Sequence, residues 1–245
     1  SKKNTLSANE KRRLKRLITL HTNLGNIYKR VNRFEEATNH IREALKLASA
    51  SRFQTDHLVY ELADNMHQLN SLAFALEIIK KYQNTLTDII IKCRIYLLKA
   101  TIQIELNNDT EARKLVEDVN DLSVKINDEE GRQSILAETK KLLGKIYYYS
   151  NQWDKAEEQF AEAGNIFDSL NDLAGKAAIY NNIGVIKMYR GEWEETEILY
   201  CKSLELEQKL YSLDGISICY NNLGGLWADR GDYQKSLEYL NEALK

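Results

Sequence analysis

An all-α fold of about six stacked helical hairpins is what this sequence predicts, and three observations lead there. Proline is absent and only 11 glycines occur in 245 residues, too few for the turns of a β-rich or loop-rich fold of this size. A small residue recurs behind an apolar-rich stretch at Gly25, Ala63, Ala100, Gly144, Gly184 and Gly224, at spacings of 38, 37, 44, 40 and 40 residues. Twelve residues after each comes Ala37, Ala75, Ala112, Ala156, Thr196 or Ser236, and four residues further a bulky one, Ile41, Ile79, Val116, Phe160, Tyr200 or Leu240.

Each unit therefore holds two runs of 3.6-residue periodicity separated by a short polar turn, such as "RGEW" at 190–193 or "RGDY" at 230–233. Small residues on facing helices let two axes approach to about 8–10 Å, so they belong where the helices cross. One hairpin cannot bury its apolar face alone, but stacked neighbours can. The first helix opens on "SANE", a capping box of Ser7 and Glu10. Twelve helices are expected near 8–31, 34–49, 55–69, 72–86, 88–106, 109–126, 130–150, 153–169, 174–190, 193–211, 215–230 and 233–245. The repeats fall near 18–55, 56–92, 93–136, 137–176, 177–216 and 217–245, in a single solenoid domain. Most units add another small residue, at Ala44, Ala163, Ser203 and Ala243. Repeats two and three instead carry Tyr82 and Val119 there, which suggests a change of pitch or a packing site. The chain opens without Met and its last repeat lacks a completed second helix, so it reads as a piece of a longer protein.

Composition narrows the functional classes. Hydrophobic residues at 43% and charged residues at 29% suffice for a buried core. No apolar run approaches the roughly eighteen residues of a membrane span, and the polar, basic start has no signal-peptide core. A cytoplasmic location is the expectation, without membrane association. The net charge of −2 argues against a broad nucleic-acid surface. The basic run "KRRLKR" at 11–16 reads as the solvated face of the first helix, with Leu14 and Leu17 turned inward. Cys93, Cys201 and Cys219 lack metal or redox spacing and read as buried apolar residues.

The spacing of "LGNIY" with Ala37, "LGKIY" with Ala156 and "LGGLW" with Ser236 resembles the tetratricopeptide repeat (TPR). No unit has that family's closing Pro, and the long units, with extended ends such as "LNDLAGKAAIYNNIG", are similar to those of bacterial signal-responsive regulators and kinesin light chains. The resemblance covers about residues 18–245 and implies a right-handed superhelical solenoid whose first helices line a concave groove. That groove would present Asn23, Asn26, Lys29 and Arg30 from repeat one. Repeat four would present Glu138, Lys141, Lys145, Tyr148 and Tyr149. From repeat five come Asn181, Asn182, Val185, Met188 and Tyr189, and from repeat six Asn221, Asn222, Gly225 and Asp229.

Asn gains nothing in a helix interior, yet "NN" recurs at 181–182 and 221–222. An amide can grip an extended peptide backbone through one donor and one acceptor. It can equally bridge neighbouring hairpins, and recurrence does not separate the two. Lys141, Lys145 and Asn182 resemble part of the carboxylate clamp of chaperone-binding TPR domains, but Ile218 and Asn222 break that match. Tyr148, Tyr149 and Tyr189 suit an aromatic or Pro-rich segment.

Nothing assembles a nucleophile, a base and an orienting group, and no metal or cofactor motif occurs. His57, Tyr60, Asp64 and His67 share one helix face and read as a polar stripe in water; ten residues separate the two His by about 15 Å. The carboxylates of "EWEETE" at 192–197 read as solvent-facing complements to a helix dipole. The sequence thus predicts a non-catalytic scaffold holding a protein or peptide segment, without cofactor or metal. The alternative is the sensor arm of a multidomain signalling or transcription regulator that binds a small molecule or signal peptide. Self-association through the uncapped last repeat is a further expectation.

Overall fold

A computed structural model describes residues 7–244; the expectations touching residues 1–6 and Lys245 lie outside them. Among the described residues there are twelve α-helices and no strand. They are α1 (Ala8–Arg30), α2 (Phe34–Ser51), α3 (Asp56–Gln68), α4 (Leu72–Tyr82), α5 (Ile89–Glu105), α6 (Asp109–Ser123), α7 (Glu129–Tyr149), α8 (Trp153–Ser169), α9 (Leu173–Tyr189), α10 (Trp193–Lys209), α11 (Leu213–Asp229) and α12 (Tyr233–Ala243). They group into two compact units, Ser1–Ile126 and Asn127–Lys245, each built of three helical hairpins.

The recurrent small residues sit where helices press together. A Cβ built on Gly25 would lie 2.6 Å from Ile41, on Gly144 2.5 Å from Phe160, on Gly184 2.6 Å from Tyr200 and on Gly224 2.7 Å from Leu240. Each of those bulky partners is the one sixteen residues on that the spacing singled out. The second small position is sealed in all six repeats, from 0% exposed at Ala37 to 4% at Ser236. Val119 is buried in place of a smaller residue, and Tyr82 is partly buried.

The turns repeat as strictly as the core. Seven residues after each small residue the chain passes through left-handed backbone, at Asn32, Asn70, Asn107, Asn151, Gly191 and Gly231. This is the conformation that Gly adopts freely and Asn tolerates. Three further left-handed residues, Arg52, Asn171 and Tyr211, lie between hairpins.

In the first unit Ile41, Leu45, Leu62, Ile79, Ile95 and Ile102 form a continuous core. The Ser7–Glu10 capping box is formed. Leu14 is half-buried, but Leu17 is 39% exposed, and Ile18 packs on the core in its stead. Helix α4 ends at Tyr82 in a 3-10 turn, short of the expected 86. The cause is Asp56, 3% exposed at the start of α3, which accepts from the Thr87 and Asp88 N–H groups at 2.6 and 2.7 Å. Asp88 in turn caps α5 by accepting from the Ile91 N–H. The divergence of repeats two and three thus houses a buried carboxylate that holds a connecting loop.

The supposed polar stripe on α3 is not solvent-facing. Lys29 pairs with Glu61 at 3.0 Å and Asp64 at 2.5 Å, and His67 meets Glu105 at 2.9 Å. Burial and the Asp64 carboxylate push the Tyr60 phenol up to about 12. Only His57 of that set is exposed. The stripe lies between successive hairpins, so its charges tie α1, α3 and α5 together.

In the second unit the "EWEETE" carboxylates are likewise bound rather than free. Lys187 at the end of α9 meets Glu157, Glu192 and Glu195 at 3.2, 2.9 and 3.2 Å. Arg190 reaches back to Asp154 at 2.5 Å and Glu157 at 2.7 Å, and forty residues on Arg230 faces Glu194 and Glu197 at 3.6 and 3.7 Å. A second contact also recurs. Lys155 lies over the Tyr147 ring, the equivalent Lys235 lies 3.3 Å from the Trp227 ring centre, and between them Lys187 and Glu195 fill the same two positions. Even the hydroxyl bridges correspond, since Ser203 donates to the Ala177 carbonyl and Ser217 to the Ala243 carbonyl with donor and acceptor helices exchanged.

Cys93 and Cys219 are buried and Cys201 half-buried, all as free thiols. Burial pushes the Cys93 thiol up to about 11, so these cysteines pack as small apolar groups rather than acting as nucleophiles.

Candidate functional site

The sequence-derived site residues divide between the units. Asn23 and Asn26 lie on α1, and neither side chain has a hydrogen-bond partner among the described residues. The remaining nine lie in the second unit on α7, α9 and α11, the first helices of its hairpins.

Helix α7 starts from Asp128, whose carboxylate accepts from the Gly131 N–H, and runs to Tyr149. Lys141 is spoken for: it pairs with Glu138 at 2.6 Å and lies over the buried Phe167 ring. Lys145 also has a partner within the protein. The cationic patch expected of repeat four is therefore largely neutralised, because i, i+3 spacing on α7 brings Glu138 beside Lys141.

The tyrosines do come together. Tyr148 meets Tyr149 edge to face with ring centres 5.2 Å apart, and Tyr189 at the end of α9 lies 6.0 Å from Tyr148. Trp153, the first residue of α8, lies 6.1 Å from Tyr189. With Asn151 in the α7–α8 turn these four rings line an open cavity of about 320 Å³. Burial and a hydrogen bond with Tyr189 raise the Tyr148 phenol, so it is neutral and able to donate. Tyr149 and Tyr189 are 61% and 60% exposed. Sequence reasoning missed Trp153; its signal was an aromatic residue opening the second helix in three successive repeats, at Trp153, Trp193 and Tyr233.

The paired asparagines resolve into two roles. Asn222 donates its amide to the Asn181 carbonyl at 2.6 Å, joining α11 to α9. That is the bridging geometry. Asn182 and Asn221 have no hydrogen-bond partner among the described residues, and Asn182 is half-buried. Of the site asparagines of the second unit, Asn182 is the half-buried one with its amide left open to an external partner.

Below this surface, Tyr200 is 1% exposed and donates to the Met188 sulfur at 3.8 Å. Among the described residues no group of three or more His, Cys, Asp or Glu is placed to hold a metal ion. No helix there is long and apolar enough to cross a membrane. His21 and His40 meet through Nδ1 at 3.0 Å between α1 and α2, with the Tyr28 ring stacked on His40.

Comparison with known proteins bears on the fold at both ends of the chain. Two tetratricopeptide-repeat family profiles match, one over residues 175–245 and one over residues 18–51. No curated protein matches the sequence significantly. Among solved structures, the Rap conjugation gene regulator of plasmid pLS20 in complex with the Phr* peptide is similar with a TM-score of 0.74 at 11% identity, over 99% of this chain and 77% of that one. NprR in complex with its cognate peptide NprX gives 0.67 at 17% identity, over 92% and 65%. The STAND protein with a tetratricopeptide repeat sensor, PH0952 from Pyrococcus horikoshii, gives 0.67 at 19% identity, over 92% of this chain and 34% of that one. At these identities the likeness is one of fold. The profile matches place tetratricopeptide repeats in repeats one, five and six, and the same small-residue crossings recur in hairpins of both units.

Proposed function

We propose that the protein is a non-catalytic scaffold that holds an extended peptide segment against α7, α9 and α11. The observation that carries this reading is Asn182, a half-buried amide with no partner among the described residues, on the same helix as Tyr189 and its aromatic cavity. The rings supply apolar contact and the amide supplies the backbone grip. Similarity of fold to NprR and the plasmid-borne Rap regulator, each solved with a peptide, supports the same class of ligand. Replacing Asn182 by Ala removes one buried amide contact and should weaken a bound peptide by about 1–3 kcal/mol. Asn181→Ala should instead loosen the α9–α11 bridge and lower stability. Equal peptide affinity in Asn182→Ala and the unaltered protein would refute the assignment.

A second reading is supported by the STAND neighbour, of which this chain spans about a third, and whose repeats are a sensor. There the bound segment would be a signal that shifts an attached effector between states. It predicts the same ligand site, and differs in that peptide binding would alter a linked activity. Self-association draws support from α11 and the end of α12, where the exposed Ile218 and Leu244 line a cavity of about 450 Å³. Concentration-dependent mass that disappears in Ile218→Glu would establish it. Three free thiols are in keeping with a reducing, cytoplasmic setting.

A further inference from the structure

The aromatic cavity at the ends of α7 and α9 has features that a purely apolar subsite does not need. In the second unit other aromatic rings already carry an internal cation: Lys155 over Tyr147, Lys202 over Tyr180, and Arg230 with Lys235 over Trp227. Among the described residues no cation lies over Tyr148, Tyr149, Trp153 or Tyr189. Their rings meet at 66°, 52° and 33° rather than in a flat stack, so they wall the cavity instead of filling it.

Paired charges of both signs flank the cavity, and an unpaired carboxylate stands one repeat along. Trp153 and Tyr189 are each followed directly by a member of the α8–α9 ion cluster, in which Asp154, Glu157, Glu192 and Glu195 are four carboxylates against the two cations Lys187 and Arg190. Lys145, one turn before Tyr148 and Tyr149, is already engaged within the protein. One repeat beyond Tyr189, at the position that Tyr149 and Tyr189 hold in repeats four and five, stands Asp229. It is exposed and makes no ion pair among the described residues. Tyr189 and Asp229 both act electrostatically on the buried Tyr200 hydroxyl, which sets them on the same side of the hairpin row.

We propose that the box of Tyr148, Tyr149, Trp153 and Tyr189 takes a cationic side chain, Arg or Lys, of the peptide held in the groove, with Asp229 as its counter-charge one repeat along. This rests on the groove reading above and adds the chemistry of its anchor. Ring faces are negative by their quadrupole and attract a cation, best at Trp. Arg also stacks its planar guanidinium on a ring. A neutral aromatic or Pro residue would gain contact area, but nothing from Asp229. The Asn151 amide, with no side-chain partner among the described residues, lines the same opening and can accept from an Arg or Lys N–H.

The test is a library of hexapeptides, each with one residue fixed as Arg, Lys, citrulline, norleucine, Phe or Pro, measured against the whole chain. The expected result is selection for Arg and Lys. Replacing the Arg of the best peptide by citrulline, which keeps the shape and removes the charge, should then cost about tenfold in affinity. In Trp153→Ala and in Asp229→Asn the same replacement should cost much less. Tyr189→Ala, at a side chain already 60% exposed, gives a further variant should Trp153→Ala unfold. Peptides that bind with equal preference for norleucine, Phe or Pro would overturn the cationic anchor and leave the groove reading standing. Failure of every peptide to bind would overturn both.

Discussion

Gly184 and Gly225 lie in equivalent first helices of adjacent repeats, yet the same substitution should act on them with opposite sign. A Cβ on Gly184 would sit 2.6 Å from Tyr200 Cε1 and 2.8 Å from Cδ1. Tyr200 is 1% exposed with its hydroxyl on Met188, so its ring has nowhere to retreat. Overpacking of this kind costs about 1–3 kcal/mol. At Gly225 an added Cβ meets nothing within 4 Å. Both sites gain the same helix propensity, about 1 kcal/mol for Ala over Gly. That gain cancels between the variants, so Gly225→Ala should exceed Gly184→Ala in stability by the overpacking cost alone, about 1–3 kcal/mol. For a chain of this size that is a melting difference of about 2–12 °C. Denaturation followed by the fluorescence of Trp193 and Trp227, which flank the site, is the assay. A repeat array need not unfold in one step, so the local probes are compared between variants rather than reduced to one global value. Gly184→Ala should recover when Tyr200 is also cut back to Leu. A Gly184→Ala protein as stable as Gly225→Ala would refute the crossing-point reasoning on which the six-repeat register rests.

Other outcomes follow from single features. Tyr211 holds left-handed backbone at φ 53° while 89% exposed, so Tyr211→Gly should stabilise by about 0.5–1 kcal/mol, read as a raised unfolding midpoint. Burial raises Cys93 from 9.0 to about 11; the fold favours the neutral thiol, so its contribution is whole below pH 9 and lost as pH climbs toward 11. Cys93→Ala should flatten that part of the alkaline stability curve. Arg190→Met leaves Asp154 and Glu157 without their shared partner and should cost about 1 kcal/mol, more than Arg230→Met, whose ion pairs are longer.

The hairpins were legible because a steric rule has a fixed spacing. Wherever Gly or Ala must let a helix pass, the bulky partner follows sixteen residues later, and six recurrences reveal it. The left-handed turn residues were equally regular, but Asn in four of the six positions looks like any polar loop residue. The ion pairs were not legible: Lys29 with Asp64 and Arg190 with Asp154 join residues 35 and 36 apart, and helical periodicity alone does not say which polar face meets a neighbour. For the same reason the stripe on α3 read as solvated, and the α10 acids, of which Glu194 and Glu195 do face water, read without their ion partners. At the site, the spacing put Tyr148, Tyr149 and Tyr189 at neighbouring helix ends, where their rings meet. It left Asn222 and Asn182 indistinguishable, although one bridges helices and the other is unpartnered.

The most direct test of a peptide-holding groove is backbone amide hydrogen exchange of the chain with and without a peptide selected from an array. Protection that rises along α9 and α11 and at the end of α7, and that is lost in Asn182→Ala, is the predicted result. Protection confined to the second helices α8, α10 and α12, or an array without a single binding peptide, would contradict it.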